Sequence, residues 1–151
     1  MSVGIGYDSH RFADDRRLVL GGVEIDHPRG LTGHSDADVL THAVIDALLG
    51  AAGMGDIGTL FPDDEDRWRD ADSIDLLRAV VGTVAGRIVN VDATLVCEAP
   101  RIGPYRAEME RILAEATSAR VSVKATTNEG MGWIGRGEGI ACLAVAQVEA
   151  G

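Results

Sequence analysis

Basic residues are scarce in this chain, and lysine is nearly missing. Lys124 stands alone beside thirteen arginines and against 24 aspartates and glutamates, which leaves a formal net charge of -10. No basic stripe runs along the sequence, so a nucleic-acid binder, which must neutralise a phosphate backbone, is excluded. Aromatic residues make up only 4% of the chain, so its core must be built from Val, Ile, Leu and Ala. The two cysteines, Cys97 and Cys142, lie in apolar, strand-like stretches and form no C-x-x-C pair, which excludes a disulfide framework and suits a reducing compartment. No apolar run approaches the length of a membrane span, and no charged-then-apolar leader opens the chain. The expectation is a cytoplasmic protein with neither membrane nor nucleic-acid partners. If so acidic a chain handles phosphates, metal ions or backbone amides must offset the repulsion.

With 151 residues, 46% of them hydrophobic, the chain is long enough for one domain over 1–151 with a real core. Near its start, "GIGYDSHRF" alternates Val3, Ile5 and Tyr7 with Gly4 and Gly6, the pattern of a short half-buried strand. "LVLGGVEI" at 18–25 reads as two strand arms around Gly21 and Gly22, or as one bulged strand. Residues 35–53 read as a helix with Ser35 or Asp36 as N-cap and Gly53 near its end. A loop over 54–72 carries seven acidic residues and two arginines. Helices follow over 72–86 and from Pro104 onward, and strands over 88–98, 120–127 and 140–149. Hairpin-like pairs mixed with helical crossovers imply an α+β fold, a mixed sheet with helices on one face. Both faces of the last strand are apolar, Ile140, Cys142, Ala144 and Ala146 on one side and Ala141, Leu143, Val145 on the other. That predicts burial on both sides and therefore an oligomer.

Two stretches carry candidate chemistry. In a strand, Asp8 and His10 project from one face, either as half of a metal site or as a turn aspartate with a surface histidine. On the first helix Asp38, His42 and Asp46 recur every four residues, in line on a helix with little water-facing surface. Such a row needs partners, and a simple helix-face ion pair with His42 would supply one. Joined to the opening stretch, Asp8, His10 and His42 make one carboxylate and two imidazoles, a three-ligand set that leaves a fourth tetrahedral position open. Asp46, with Asp38 on its other side, could then orient His42 from behind. His34 lies in the loop at the helix mouth beside Ser35, and His27 reads as surface. "ATTNEGMGWIGRGEG" at 125–139 places five glycines after Glu129, where backbone amides can approach an anion. These features alone point to a metal site with an anionic ligand.

The segments "GYDSHRF", "GHSDADVLTHAVIDALLGAAGMGDIGTLFPD", "NVDATLVCEAPRIGPY" and "VKATTNEGMGWIGRGEGIAC" cover well over half the chain, in order. Together they resemble the 2-C-methyl-D-erythritol 2,4-cyclodiphosphate synthase family of the non-mevalonate isoprenoid pathway. The resemblance implies a four-stranded mixed sheet with helices on one face, and a homotrimer whose sheets line a central prism and whose active sites lie between subunits. It implies Zn2+ on Asp8, His10 and His42, and Mg2+ or Mn2+ held by Glu129 across the substrate phosphates. His34 and Thr127 match its transition-state stabilisers. Ser35, Asp56, Ile57, Gly58, Phe61, Pro62, Asp63, Asp64 and Glu65 match positions lining methylerythritol and diphosphate. Cys97, Glu98, Ala99, Pro100, Arg101, Ile102 and Gly103, with Thr126 and Thr127, match the cytidine pocket.

Trp133 and Arg136 match further substrate contacts, and Arg136 also falls where the family faces the trimer axis. Trp133 replaces an expected phenylalanine and Arg101 a usual lysine, while Gly103 and Asn128 also depart from the family pattern; these changes bear on the cytidine pocket and leave the reaction intact. The implied activity converts 4-diphosphocytidyl-2-C-methyl-D-erythritol 2-phosphate to the 2,4-cyclodiphosphate with release of CMP, in a bacterial cytoplasm or, after loss of a transit peptide, a plastid. Two other readings remain: a zinc-dependent phosphohydrolase, and a non-enzymatic trimeric module that binds nucleotides or isoprenoid diphosphates.

Overall fold

The structure, a computed structural model, describes residues 1–33, 35–62, 64–66 and 69–151. Strand β1 (Ser2–Ala13) lies second in a five-stranded sheet of order β4-β1-β7-β5-β6, completed by β4 (Gly30–Leu31), β5 (Arg87–Val96), β6 (Arg120–Thr126) and β7 (Gly139–Glu149). The fifth strand, β4, is a two-residue addition that the expected four-stranded sheet lacks; it pairs Phe12 with Leu31 and Ala13 with Gly30. β7 runs antiparallel to both β1 and β5, and β5 runs parallel to β6, so the sheet is mixed. The parallel pair is joined through helix α4 (Arg106–Thr117), the crossover such strands require.

β1 alternates between a covered and an uncovered face, as a half-buried strand does. The apolar Val3, Ile5 and Tyr7 are the exposed residues, at 66%, 68% and 54%, and the glycines between them face inward. The reason is helix α1 (Val39–Ala52), which lies directly on the strand. A Cβ built on Gly6 would fall 1.9 Å from the Ala43 carbonyl oxygen, and one on Gly4 2.0 Å from that of Ala47. Only glycine leaves room for backbone to approach backbone this closely. Because Gly6 lies against Ala43 and Gly4 against Ala47, helix and strand run in opposite directions. The next inward residues of β1 are Asp8 and His10, and they meet the first turn of α1.

α1 is buried on both sides, in keeping with the little water-facing surface expected of it: Leu40, Val44, Ala47 and Leu48 are inaccessible, and so are Ile45 and Leu49. Its cap lies two or three residues later than expected, with neither Ser35 nor Asp36 in that place. Asp38 is the N-cap, its side chain accepting from the Thr41 N–H, and Gly53 closes the helix in the left-handed region at φ 68°. The Asp38 carboxylate also accepts from the backbone N–H groups of Gly21 and Gly22, each at 2.8 Å. Those glycines, at φ 59° and 77°, form the turn between β2 (Leu18–Leu20) and β3 (Val23–Ile25), where both central residues need positive φ. One buried carboxylate thus ties a separate hairpin to the entry of the central helix.

Short helices interrupt the two long loops: α2 (Ile57–Leu60) in the acidic loop and α5 (Gly132–Gly135) in the glycine-rich one. Helix α3 (Ser73–Val81) begins where expected, with Asp72 as its N-cap. His27, expected at the surface, is half-buried and stacks on Phe12 with ring centroids 5.4 Å apart. On the second face of β7, Leu143 and Val145 are each 42% exposed within one chain, while Ala141 is buried. They share this uncovered apolar face with Val3, Ile5 and Tyr7 of β1.

The glycine contacts give the first testable outcome. Gly6→Ala must push α1 off the strand, and a steric insertion of this kind costs about 1–3 kcal/mol or more. The denaturant midpoint should fall accordingly; an unchanged midpoint would show that helix and strand are not in the contact described.

Candidate metal centre and flanking pockets

The close packing of α1 on β1 brings three donor atoms to one point. Asp8 Oδ2 lies 2.8 Å from His10 Nε2 and 3.1 Å from His42 Nδ1, and the two imidazole nitrogens are 3.3 Å apart. In a coordination tetrahedron with bonds of about 2.0–2.1 Å, ligand atoms stand about 3.3 Å apart. The triangle is therefore the right size, slightly contracted, for one ion. The rings meet edge to face, with centroids 5.4 Å apart and planes at 68°.

The outer nitrogens determine which lone pairs face the centre. His10 Nδ1 lies 3.0 Å from the Thr32 carbonyl oxygen, which can only accept, so Nδ1 carries the proton and Nε2 is left as a ligand. His42 Nε2 lies 2.8 Å from the Ser73 hydroxyl and 3.0 Å from that of Ser35, which leaves Nδ1 turned to Asp8. Asp46, expected to steady His42, instead accepts from the Ile57 N–H at 2.7 Å and so fixes the start of α2. Asp38 is committed to the backbone of the hairpin and of its own helix. The groups behind the histidines are thus a carbonyl and two hydroxyls. Spacing along the helix gave no sign of them, because Thr32 and Ser73 come from other segments.

Burial works to raise the Asp8 carboxyl, but hydrogen bonds from the two histidines and their charge outweigh it and hold it down at about 2. Burial likewise opposes a charged His42, and Asp8 overrides it, so His42 holds its proton above the ordinary imidazole range. Asp8 therefore stays ionised well below the ordinary carboxylate range, and a metal ion would compete with the proton on His42. The sign follows: as pH falls through the raised His42 value, metal binding must weaken, while protonation of Asp8 contributes only near pH 2. A zinc titration between about pH 8 and about pH 6 should show affinity dropping with each step and protons released on binding. A flat profile would count against His42 as a ligand.

The triad forms the floor of a cavity of about 480 Å³. Ser35, Ile57, Gly58, Phe61, Pro62, Asp64 and Leu76 line the rest of it. Six of these are expected substrate positions; Leu76 is an addition, contributed by the amphipathic face of α3. Asp56 caps α2, accepting from the Thr59 N–H and hydroxyl at 2.9 Å each, and these bonds lower its carboxyl. His34 and Asp63 lie outside the described residues, and Glu65 is described but is not part of this lining.

A second cavity of about 450 Å³ opens between the ends of β5 and β6. Cys97, Glu98, Pro100, Arg101, Ile102, Gly103, Thr126 and Thr127 line it, so nearly all the expected cytidine-pocket positions gather there; Ala99 joins Pro100 through a cis peptide. Burial pushes the Cys97 thiol up to about 11, which leaves it neutral and not nucleophilic. Glu98 accepts from the N–H groups of Asn128 and Gly130, at 2.7 and 3.0 Å. It thereby grips both sides of Glu129, which is exposed and in the left-handed region at φ 53°. Trp133 lines a smaller cavity of about 180 Å³ with His10, and Arg136 pairs with Glu138 at 2.6 Å.

The two larger cavities share no residue. Both nevertheless open at one end of the sheet, since the register pairs His10 with Ile140 and Val96 with Ala141.

Comparison with known proteins agrees with this geometry. Residues 1–149 match the model of the YgbB family. A curated relative from Symbiobacterium thermophilum, named 2-C-methyl-D-erythritol 2,4-cyclodiphosphate synthase, is 59% identical, with 98% of each chain covered. The bifunctional IspDF from Campylobacter jejuni is 39% identical over 96% of this chain, with a TM-score of 0.92, and this chain spans 41% of it. A solved 2C-methyl-D-erythritol-2,4-cyclodiphosphate synthase in a CDP-bound form is 34% identical, covers 97% of this chain and 99% of its own, and has a TM-score of 0.87.

Proposed function

The chain belongs to the YgbB family, and from that premise we propose that it is a 2-C-methyl-D-erythritol 2,4-cyclodiphosphate synthase. The observation that carries the reading is the convergence of Asp8, His10 and His42 on the floor of a cavity lined by Ser35, Ile57, Gly58 and Phe61. The substrate is 4-diphosphocytidyl-2-C-methyl-D-erythritol 2-phosphate. Its 2-phosphate oxygen attacks the β-phosphorus, the bond from that phosphorus to the CMP phosphate oxygen breaks, and CMP departs with the bonding electrons. When bound, Zn2+ at the triad and Mg2+ or Mn2+ at Glu129 supply Lewis-acid neutralisation of phosphoryl oxygens.

The nucleophile is already an anion, so no residue need act as a general base. What the chain must do is fold the substrate back on itself. Ser35 and the backbone at Ile57 and Gly58 orient the methylerythritol diphosphate end, while the cavity from Cys97 to Gly103, with Thr126 and Thr127, takes the cytidine monophosphate. His34 and Thr127 are assigned to the developing charge. Alignment of this kind is worth up to roughly 7–11 kcal/mol in favourable intramolecular reactions. Because the two cavities have no residue in common, a homotrimer that joins one chain's metal centre to its neighbour's cytidine pocket fits them well. The uncovered apolar face of Val3, Ile5, Tyr7, Leu143 and Val145 supports the same assembly, as it supplies a surface for neighbouring sheets. A cytoplasmic location belongs to this reading, supported by the bacterial relative and by the lack, among the described residues, of any helix long and apolar enough to cross a membrane.

Incubating the protein with the cytidyl substrate, zinc and magnesium in 18O-labelled water should give CMP and an unlabelled cyclic diphosphate by mass analysis. Label in the diphosphate product would establish hydrolysis instead. His42→Ala should lower turnover about a thousandfold or more, given several kcal/mol of charge stabilisation lost with the ion. Retained turnover would defeat the assignment of the triad.

A further inference from the structure

Behind the metal centre, a chain of hydrogen bonds continues two residues deeper than the ligands require. Ser73, at the first turn of α3, is fully buried, and its hydroxyl lies 2.8 Å from His42 Nε2. The same hydroxyl makes a short hydrogen bond to Asp36 Oδ1. Asp36 is itself fixed: Oδ1 accepts from the Asp38 N–H at 3.1 Å, Oδ2 from the Ser73 N–H at 3.0 Å, and its own N–H donates to the Ala71 carbonyl at 3.2 Å.

Donor and acceptor rules order this chain. A carboxylate only accepts, so the Ser73 O–H must point to Asp36. Its oxygen then has lone pairs alone to offer His42, so Nε2 must carry the imidazole proton. Nδ1 is left as a lone pair aimed at Asp8 and His10. Ser35, 3.0 Å from the same nitrogen, cannot set this direction, because its rotor has no carboxylate to hold it among the described residues; it accepts from the Ala37 N–H at 3.3 Å.

We propose that Asp36 and Ser73 form a relay that fixes the His42 tautomer for metal binding. Both are positioning residues and neither is a ligand. The inference rests on the triad holding a metal ion, as in the function proposed above. It also gives residues 36 and 73 a role separate from the substrate lining, to which Ser35 belongs. Groups that hold a ligand histidine from behind typically change metal affinity 10–100-fold when removed.

Asp36 also braces the start of α3, so a purely structural role must be separated from the relay. Ser73→Ala does this, since it deletes the hydroxyl and leaves the bond from the residue 73 N–H to Asp36. Zinc affinity, measured by chelator competition, should fall about 10–100-fold in this variant. In metal-free protein above the His42 titration, imidazole 15N signals should show the Nε2–H tautomer in the parent chain and a mixture in Ser73→Ala. Asp36→Ala should lower zinc affinity similarly in the parent but add less than about twofold in the Ser73→Ala background, because contacts in one network are not additive. Zinc affinity within about twofold of the parent together with an unchanged tautomer in Ser73→Ala would overturn the relay, and so would full additivity. If the parent chain binds no zinc, the functional reading falls, and the nitrogen signals of the metal-free protein still decide the relay.

Discussion

The structure depends on one close approach, that of helix α1 to the inward face of β1. Gly4 and Gly6 have no Cβ, and that absence lets the carbonyls of Ala47 and Ala43 come within the space a side chain would fill. Everything at the metal centre follows from it. A helix held at ordinary distance would carry His42 out of reach of Asp8, and the 3.1 Å contact between them would open. The antiparallel run of helix against strand then sets which turn meets which residue, so that the first turn of α1 faces Asp8 and His10. The site is a property of the packing between the two elements, and neither alone contains it.

Charge is organised around the same point. The chain is strongly acidic, yet several of its carboxylates are spent on backbone: Asp38 on the hairpin turn, Asp46 and Asp56 on α2, Asp36 on α3, Glu98 on the loop around Glu129. Each satisfies orphan N–H groups at a helix start or a tight turn, where negative charge is favoured. Asp8 differs in facing two imidazoles. The chain keeps its net charge of -10, but these carboxylates are held by fixed backbone donors, and Asp8 is the one turned to the histidine pair.

How much of this was legible in the sequence depended on whether the signal was local. Asp8 and His10 share a strand face by period two, and His42 lies on a doubly buried helix, so the metal triad could be assembled from spacing. The glycine turn at Gly21 and Gly22, the Gly53 helix end and the start of α3 near Asp72 were equally readable, since turn and helix-end chemistry is short-range. What failed was long-range. Alternation in β1 marked a half-buried strand, but that its glycines, with Val3, Ile5 and Tyr7 left exposed, form the covered face depends on the helix laid over them. Asp46 looked like the partner of His42 because it lies one turn away; its carboxylate turns to Ile57, and Ser73, 31 residues on, fills the role. The two-residue β4 carries no periodicity at all and exists because the chain end of β1 offers it free hydrogen-bonding groups.

The central claim is that one carboxylate and two imidazoles, brought together by that helix–strand contact, grip a single ion with a coordination position left open. X-ray absorption at the zinc edge of the purified, zinc-loaded protein tests it most directly. The account predicts a shell of four light ligands at about 2.0–2.1 Å with scattering from two imidazole rings and no sulfur. A spectrum with sulfur at about 2.3 Å, or with no imidazole signature, would contradict it.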